Sequence, residues 1–182
     1  MVRESERQQW LVACFAIPAE PSALRVATWR MLKELGAAAV GGGVYALPER
    51  PELREAFLRL KDRVNSGGGS AFLLRGQALE AADEAVVIKR FETSRAADYA
   101  QVIKSARRFV EHVERETASR DFRFAEVENL EEELEKVRRQ LHRVRERDYF
   151  VNATREEAQA AVIGAEQALR SYVELASEQG DP

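Results

Sequence analysis

The chain is poor in the residues that carry most catalytic and metal chemistry. Of its 182 residues one is cysteine, Cys14, and two are histidine, His112 and His142. A lone thiol excludes an internal disulfide, a C-x-x-C redox pair and a thiolate zinc site. That economy suits a reducing compartment, and a cytoplasmic location is expected. No run approaches the ~20 apolar residues that span a bilayer, so no membrane association is expected. Arg3 and Arg7 precede the apolar run Trp10 to Ala19, but Glu4 and Glu6 spoil the basic region that a signal peptide needs. Charge of one sign is also lacking: the formal net charge is -3, which predicts no polyanion partner from bulk electrostatics.

Glycine and proline are confined almost entirely to the N-terminal half, and they punctuate it. "QWLVACFAI", Gln9 to Ile17, is apolar on both parities and reads as a strand buried on both sides, ended by Pro18. Pro21 and Ser22 open a helix to Leu35 with Leu24, Ala27, Met31 and Leu35 as its inward stripe and Gly36 as its stop. "AAAVGGGVYALP" reads as a hairpin turning through Gly41 to Gly43. Pro51 starts a second helix with Leu53, Phe57, Leu60 and Val64 inward, Gly67 to Gly69 close it, and "SAFLLRG" is a further strand. This order predicts an α+β fold: a ferredoxin-like βαββαβ half over residues 1–79. Two helices then cover one sheet face, and the other needs a cover from the rest of the chain or a second copy.

Residues 80–182 predict a long antiparallel helical bundle, since no glycine interrupts the chain from Gln77 until Gly164. A short helix is expected from Ala81 to Phe91 and a long one from Ser94 to Thr117, carrying Tyr99, Val102, Ala106, Val110 and Val113. Val127, Leu130, Leu134, Val137, Leu141 and Val144 alternate steps of three and four, a heptad seam. Thr154 and Glu157 predict a capping box for a last helix with Ala158, Ala161, Ala165, Ala168 and Tyr172 inward.

No catalytic constellation stands out, and no cofactor fingerprint. The glycine triplets lie between strands and after a helix, not between a strand and a helix N-terminus as a phosphate cradle requires. The two histidines fall on different predicted helices and read as solvent-facing positions with incomplete ligand sets, so no metal site is expected. Cys14 reads as a small buried hydrophobe. The basic run Lys136, Arg138, Arg139, Arg143, Arg145 and Arg147 follows Glu132 and Glu135 at helix spacing, which favours an ion-paired solvated face over a nucleic-acid patch. Arg25, Trp29 and Lys33 fall at i, i+4 and i+8. The indole is expected to be buried against the C-terminal helices, with Arg25 over its ring, so that Trp29→Ala would remove about 3–5 kcal/mol of stability.

Several segments resemble the N-terminal family of the chromate-resistance protein ChrB: "SALRVATWRMLKELGAAAVGGGVYALPERPELREAF", "IKRFETSRAADYA", "DFRFAEVENLEEELEKVRRQLHRVRERDYF" and "TREEAQAAV". The α/β half also resembles the middle domain of PaaX repressors and the CRISPR adaptation nucleases. Where those nucleases carry a metal-binding acid, this chain reads Ile17-Pro18-Ala19, with Glu20 beyond the strand, which counts against nuclease chemistry. No winged-helix reader precedes the first strand, so DNA binding by the chain alone is expected to be weak or absent.

The resemblance implies a non-enzymatic regulatory or accessory protein, responsive to chromate or a sulfate-like oxyanion and modulating transcription of a chromate efflux system. The full-length family form adds a C-terminal domain. Arg25, Arg30, Arg90 and Arg95 are the expected forked donors to a tetrahedral dianion, with Trp29 and Tyr99 beside them as oxyanion- or partner-binding residues. The rival reading is an assembly module that binds a protein partner or forms a homodimer. Chromate reduction would need an electron source, and neither a nucleotide fingerprint nor a thiol pair is present to supply one.

Overall fold

The structure, a computed structural model, describes residues 7–20, 22–120 and 122–179. The element order is β1 (Trp10–Ala16), α1 (Ser22–Glu34), β2 (Ala38–Gly41), β3 (Val44–Pro48), α2 (Pro51–Ser66), β4 (Ser70–Gly76), α3 (Ala81–Ser119), α4 (Phe124–Glu146) and α5 (Arg155–Gln179). Pro21 and the acidic residues Glu4 and Glu6 lie outside the described residues. The chain divides into two compact units, Met1–Ser94 and Arg95–Pro182.

In the first unit the strands run in the order β2-β3-β1-β4 with every neighbouring pair antiparallel, which is the βαββαβ arrangement. Because side chains alternate along a strand, β1 presents Leu11, Ala13 and Phe15 to one face and Trp10, Val12 and Cys14 to the other. The first set is buried with Leu47 of β3, Leu32 of α1 and Phe57, Leu60 and Val64 of α2. On the second face Trp10 meets α3, where Phe91 stacks on it with ring centroids 5.9 Å apart and planes within 18°. That helix covers only part of the face. Phe72 and Leu74 pair with Cys14 and Val12 across β4 and remain 54% and 56% exposed.

The inward stripe of α1 differs from the expected one. Thr28 and Leu32 are its buried residues, while Leu24, Ala27, Met31 and Leu35 are only half-buried. A threonine can take an inward place because its hydroxyl donates to the Leu24 carbonyl at 2.8 Å, four residues back, and so hides its own polarity. Gly36, at a φ of 67°, ends the helix as expected, with Ala37 N–H donating to the Leu32 carbonyl at 2.9 Å.

The expected break between two helices at residues 91–94 does not occur, and α3 is continuous over 39 residues. Nothing in "FETS" forces an end, since it holds neither glycine nor proline, and Thr93 donates its hydroxyl back to the Lys89 carbonyl at 2.9 Å within the helix.

The second unit has an apolar core built from the expected stripes. Tyr99, Val102, Ala106 and Val113 of α3 meet the heptad residues Leu130, Leu134, Val137, Leu141 and Val144 of α4 and Ala158, Ala165 and Tyr172 of α5. Cross-contacts run in opposite senses along successive helices: Tyr99 with Asp148 and His112 with Glu133, then Arg138 with Glu166 and Arg145 with Gln159. Neighbours are therefore antiparallel. The capping box is replaced. Thr154 N–H donates to Asn152 Oδ1 at 3.0 Å, and Glu157 lies against Arg107 at 3.5 Å.

The hairpin explains the first glycine triplet. Gly42 and Gly43 have φ of 53° and 82°, as a two-residue turn with positive φ at both positions requires. A Cβ on Gly43 would also stand 2.3 Å from the Phe15 carbonyl oxygen, whereas one on Gly42 would meet open space. Gly43→Ala should therefore lower stability by about 2–4 kcal/mol and Gly42→Ala by about 1 kcal/mol, read from urea denaturation midpoints. Equal losses would show that the turn conformation alone, and not the closeness of β1, sets the requirement.

Candidate functional site

On α1 the spacing of Arg25, Trp29 and Lys33 does place them on one stripe, and Lys33 Nζ lies 5.3 Å from the indole centroid. Beneath the stripe is a hollow of about 440 Å³, walled by Phe15, Ile17, Gly43 and Tyr45 of the sheet side and by Arg25, Val26, Thr28, Trp29 and Leu32 of the helix. The expected burial of Trp29 is corrected: the indole is 54% exposed, and the cation over it is Lys33 rather than Arg25. Thr28 and Leu32 hold the inward positions, so Trp29 is rotated out to the rim. Trp29→Ala should consequently change the melting temperature little.

The four expected arginines do not converge. Arg25 and Arg30 belong to α1, on the Leu11–Phe15 side of the sheet, and Arg30 is exposed. Arg90 lies on the opposite side, in the part of α3 that carries Phe91, and lines a separate depression with Ala37, Ala38, Ala39 and Lys89. Arg95 belongs to the second unit and is 4% exposed, a buried cation rather than an open donor.

Arg95 anchors a polar network that links α3 to the α4–α5 connection. Its Nη2 lies 3.0 Å from Asp98 Oδ2, and Arg147 Nη2 approaches the same oxygen at 3.6 Å. Tyr99, fully buried, donates its hydroxyl to Asp148 Oδ2 at 2.9 Å. Both oxygens of that carboxylate accept from Asn152 N–H at 3.1 Å, and Asn152 Oδ1 accepts from the Thr154 hydroxyl at 2.6 Å. These bonds fix the tight connection, in which the β-branched Val151 holds a φ of 32°. Burial pushes the Arg95 guanidinium below its ordinary value against the pull of Asp98, yet arginine stays a cation in the working range.

Burial raises the Tyr99 phenol above its ordinary value, and its bond to Asp148 and that carboxylate's charge raise it further. The fold thus favours the neutral phenol. Its contribution is fully present below the ordinary tyrosine value of about 10 and is lost as pH rises from there through the folded value. In the parent chain, stability should fall more steeply above about pH 10 than in Tyr99→Phe, measured by urea denaturation across the alkaline range. Tyr99→Phe should itself cost about 1.5–3 kcal/mol at neutral pH, as for a bond to a charged acceptor. Parallel alkaline profiles would show that Asp148 does not hold the phenol neutral.

The basic run on α4 is ion-paired in part. Arg138 meets Glu166 at 2.8 Å and Glu135 at 3.6 Å, and Lys136 meets Glu132 at 3.9 Å. His142 is solvent-facing as expected, but His112 is not, because its side chain is 28% exposed among Glu116, Glu126 and Glu133. The expectation that no carboxylate stands at i+4 from either histidine is corrected, since Glu116 stands four residues after His112 and Glu146 four after His142. Likewise Arg95 and Asp98, three residues apart on one helix face, marked the buried pair, and "RDYFVNAT" marked the connection.

Among the described residues no helix is long and apolar enough to cross a membrane. A similar protein is Protein ChrB of Cupriavidus metallidurans, 33% identical over 97 residues, a stretch amounting to 53% of this chain and 29% of that protein. The chain thus spans less than a third of the length of the curated relative it matches. The family described as Protein ChrB, N-terminal, matches residues 25–180, which take in most of α1, the sheet from β2 onward and all three long helices. With most of both units inside that match, the chain belongs to the ChrB N-terminal family.

Proposed function

We propose that this chain is a non-catalytic module that responds to an oxyanion and modulates a chromate efflux system through a partner, with α1 as its ligand face. One observation carries the reading: an exposed tryptophan stands between Arg25 and Lys33 over a hollow floored by Phe15 and Tyr45. A guanidinium offers two parallel donors to a tetrahedral dianion, and an apolar floor strengthens that attraction by excluding water. The ligand face is therefore α1 alone, since Arg90 lies across the sheet and Arg95 is committed to Asp98.

DNA is not the expected ligand. The shallow groove between α4 and α5 carries Lys136, Arg138, Arg139 and Arg170 but also Glu131, Glu132, Glu135, Glu166 and Glu174, so its field is balanced. Any DNA binding by the chain alone should be weak and fall steeply with salt.

Calorimetric titration of the full chain with chromate, and with sulfate as a redox-inert analogue, tests the proposal. Arg25→Ala should weaken binding of both at least about 10-fold and leave the melting temperature within a degree or two, because an exposed cation contributes little to stability. Unchanged affinity in Arg25→Ala/Arg30→Ala would remove α1 from the ligand face.

A second reading, self-assembly, is favoured by Phe72 and Leu74, two large apolar side chains exposed side by side on an edge strand. If it holds, light scattering gives a dimer that Leu74→Asp converts to a monomer; a monomeric parent chain dismisses it.

A further inference from the structure

Where α3 approaches its end and α4 begins, three side chains aim ligand atoms at one point. His112 and Glu116 are one turn apart on α3, and Glu126 comes from the first turn of α4, with Glu133 two turns further along the same helix. His112 Nδ1 lies 2.8 Å from Glu133 Oε2. An ionised carboxylate can only accept, so Nδ1 carries the proton of that bond, and a neutral ring then presents the Nε2 lone pair on its other side.

That lone pair faces Glu116 Oε1 at 3.6 Å and Glu126 Oε1 at 3.7 Å. Both distances exceed hydrogen-bond range. They instead match the edges of a coordination shell: a tetrahedral ion with ligands at about 2.1 Å separates them by about 3.4 Å. All three ligand atoms lie within 4.8 Å of one another, and all three residues are half-buried. Two carboxylates facing one ring nitrogen favour a positive charge between them, which a divalent cation supplies.

We propose that His112, Glu116 and Glu126 bind one first-row divalent cation of the Zn²⁺ or Mn²⁺ class, with Glu133 as the positioning residue that fixes the imidazole. One nitrogen and two carboxylate oxygens suit such ions; the imidazole disfavours Mg²⁺ and Ca²⁺, and no thiolate is present to select Cu(I). Three protein ligands leave the remaining coordination positions to water. The Glu133 contact is the carboxylate–histidine arrangement that orients metal-binding imidazoles and raises their basicity. The ion ties the end of α3 to the start of α4 across the turn at Arg120, a non-glycine residue with a φ of 56°.

His142 supplies an internal control. It too has a carboxylate four residues on, Glu146 at 3.3 Å, but both side chains are exposed, at 74% and 61%, and neither belongs to a group of three ligands among the described residues.

The test uses the untagged full chain, titrated calorimetrically with Zn²⁺ and with Co²⁺, whose visible d–d bands report the donor atoms. One ion per chain is expected, with Co²⁺ bands of nitrogen and oxygen ligation and a higher melting temperature in its presence. Glu126→Gln and His112→Ala should abolish the bands and weaken binding by about 30-fold or more, Glu133→Gln by about 10–100-fold, and His142→Ala not at all. Should His112→Ala fail to fold, the near-isosteric Glu126→Gln decides alone. No saturable uptake by the parent chain overturns the proposal. So does uptake that survives Glu126→Gln.

Discussion

The first unit depends on a single constraint, that β1 must be paired on both edges and covered fully on one face and in part on the other. Ala13 shows it best: fully buried, it sits between Tyr45 of β3 and Leu73 of β4 in the middle of the sheet. Two helices are enough for the Leu11–Phe15 side. The Trp10 side needs a third, and the stacking of Phe91 on Trp10 provides it, which is why the first third of α3 belongs with the sheet rather than with the bundle. The hairpin follows from the same demand. At the end of the β1–β3 ladder Gly43 lets the turn lie close against the Phe15 carbonyl, and Phe15 N–H in turn donates to the Gly43 carbonyl at 2.9 Å.

Patterns with strong periodicity were legible before any coordinates. The strand order, the second glycine triplet as a helix stop, and the heptad seam from Leu130 to Val144 all appear where the apolar spacing put them. α1 was harder, because its pattern offers two stripes one residue apart. Period alone ranked Leu24, Ala27, Met31 and Leu35 above a stripe containing Thr28, and only the hydroxyl's bond to Leu24 makes that threonine acceptable inside. The same rotation brings Trp29 outward, so the exposed indole follows from the choice of Thr28 and Leu32 as the inward residues. The continuity of α3 was hidden for a different reason: a polar stretch such as "FETS" is as compatible with a solvated helix turn as with a break.

The polar networks were the least legible part, since they join residues distant in sequence. The i,i+3 and i,i+4 members, Arg95 with Asp98 and His112 with Glu116, could be read from spacing. Asp148 under Tyr99 and Glu126 beside His112 could not, because the antiparallel register of α3 and α4 had first to be known. A resemblance to a family carries likewise only as far as matched segments. It named four arginines, and the sheet then placed two of them on α1 and one on the opposite side.

The scarcity of cysteine has a practical side once its place is known. Cys14 sits at the centre of β1 on the Trp10 side, half-buried between Val44 and Phe72. The chain therefore carries one built-in chemical probe, and it sits on the part of the sheet that α3 leaves open. The rate at which a maleimide alkylates this thiol reports how much solvent reaches that surface. A partner laid over Phe72 and Leu74 slows the reaction, while a ligand held on α1, behind the sheet, leaves it unaltered, so the wild-type sequence can distinguish the two kinds of binding without an engineered label.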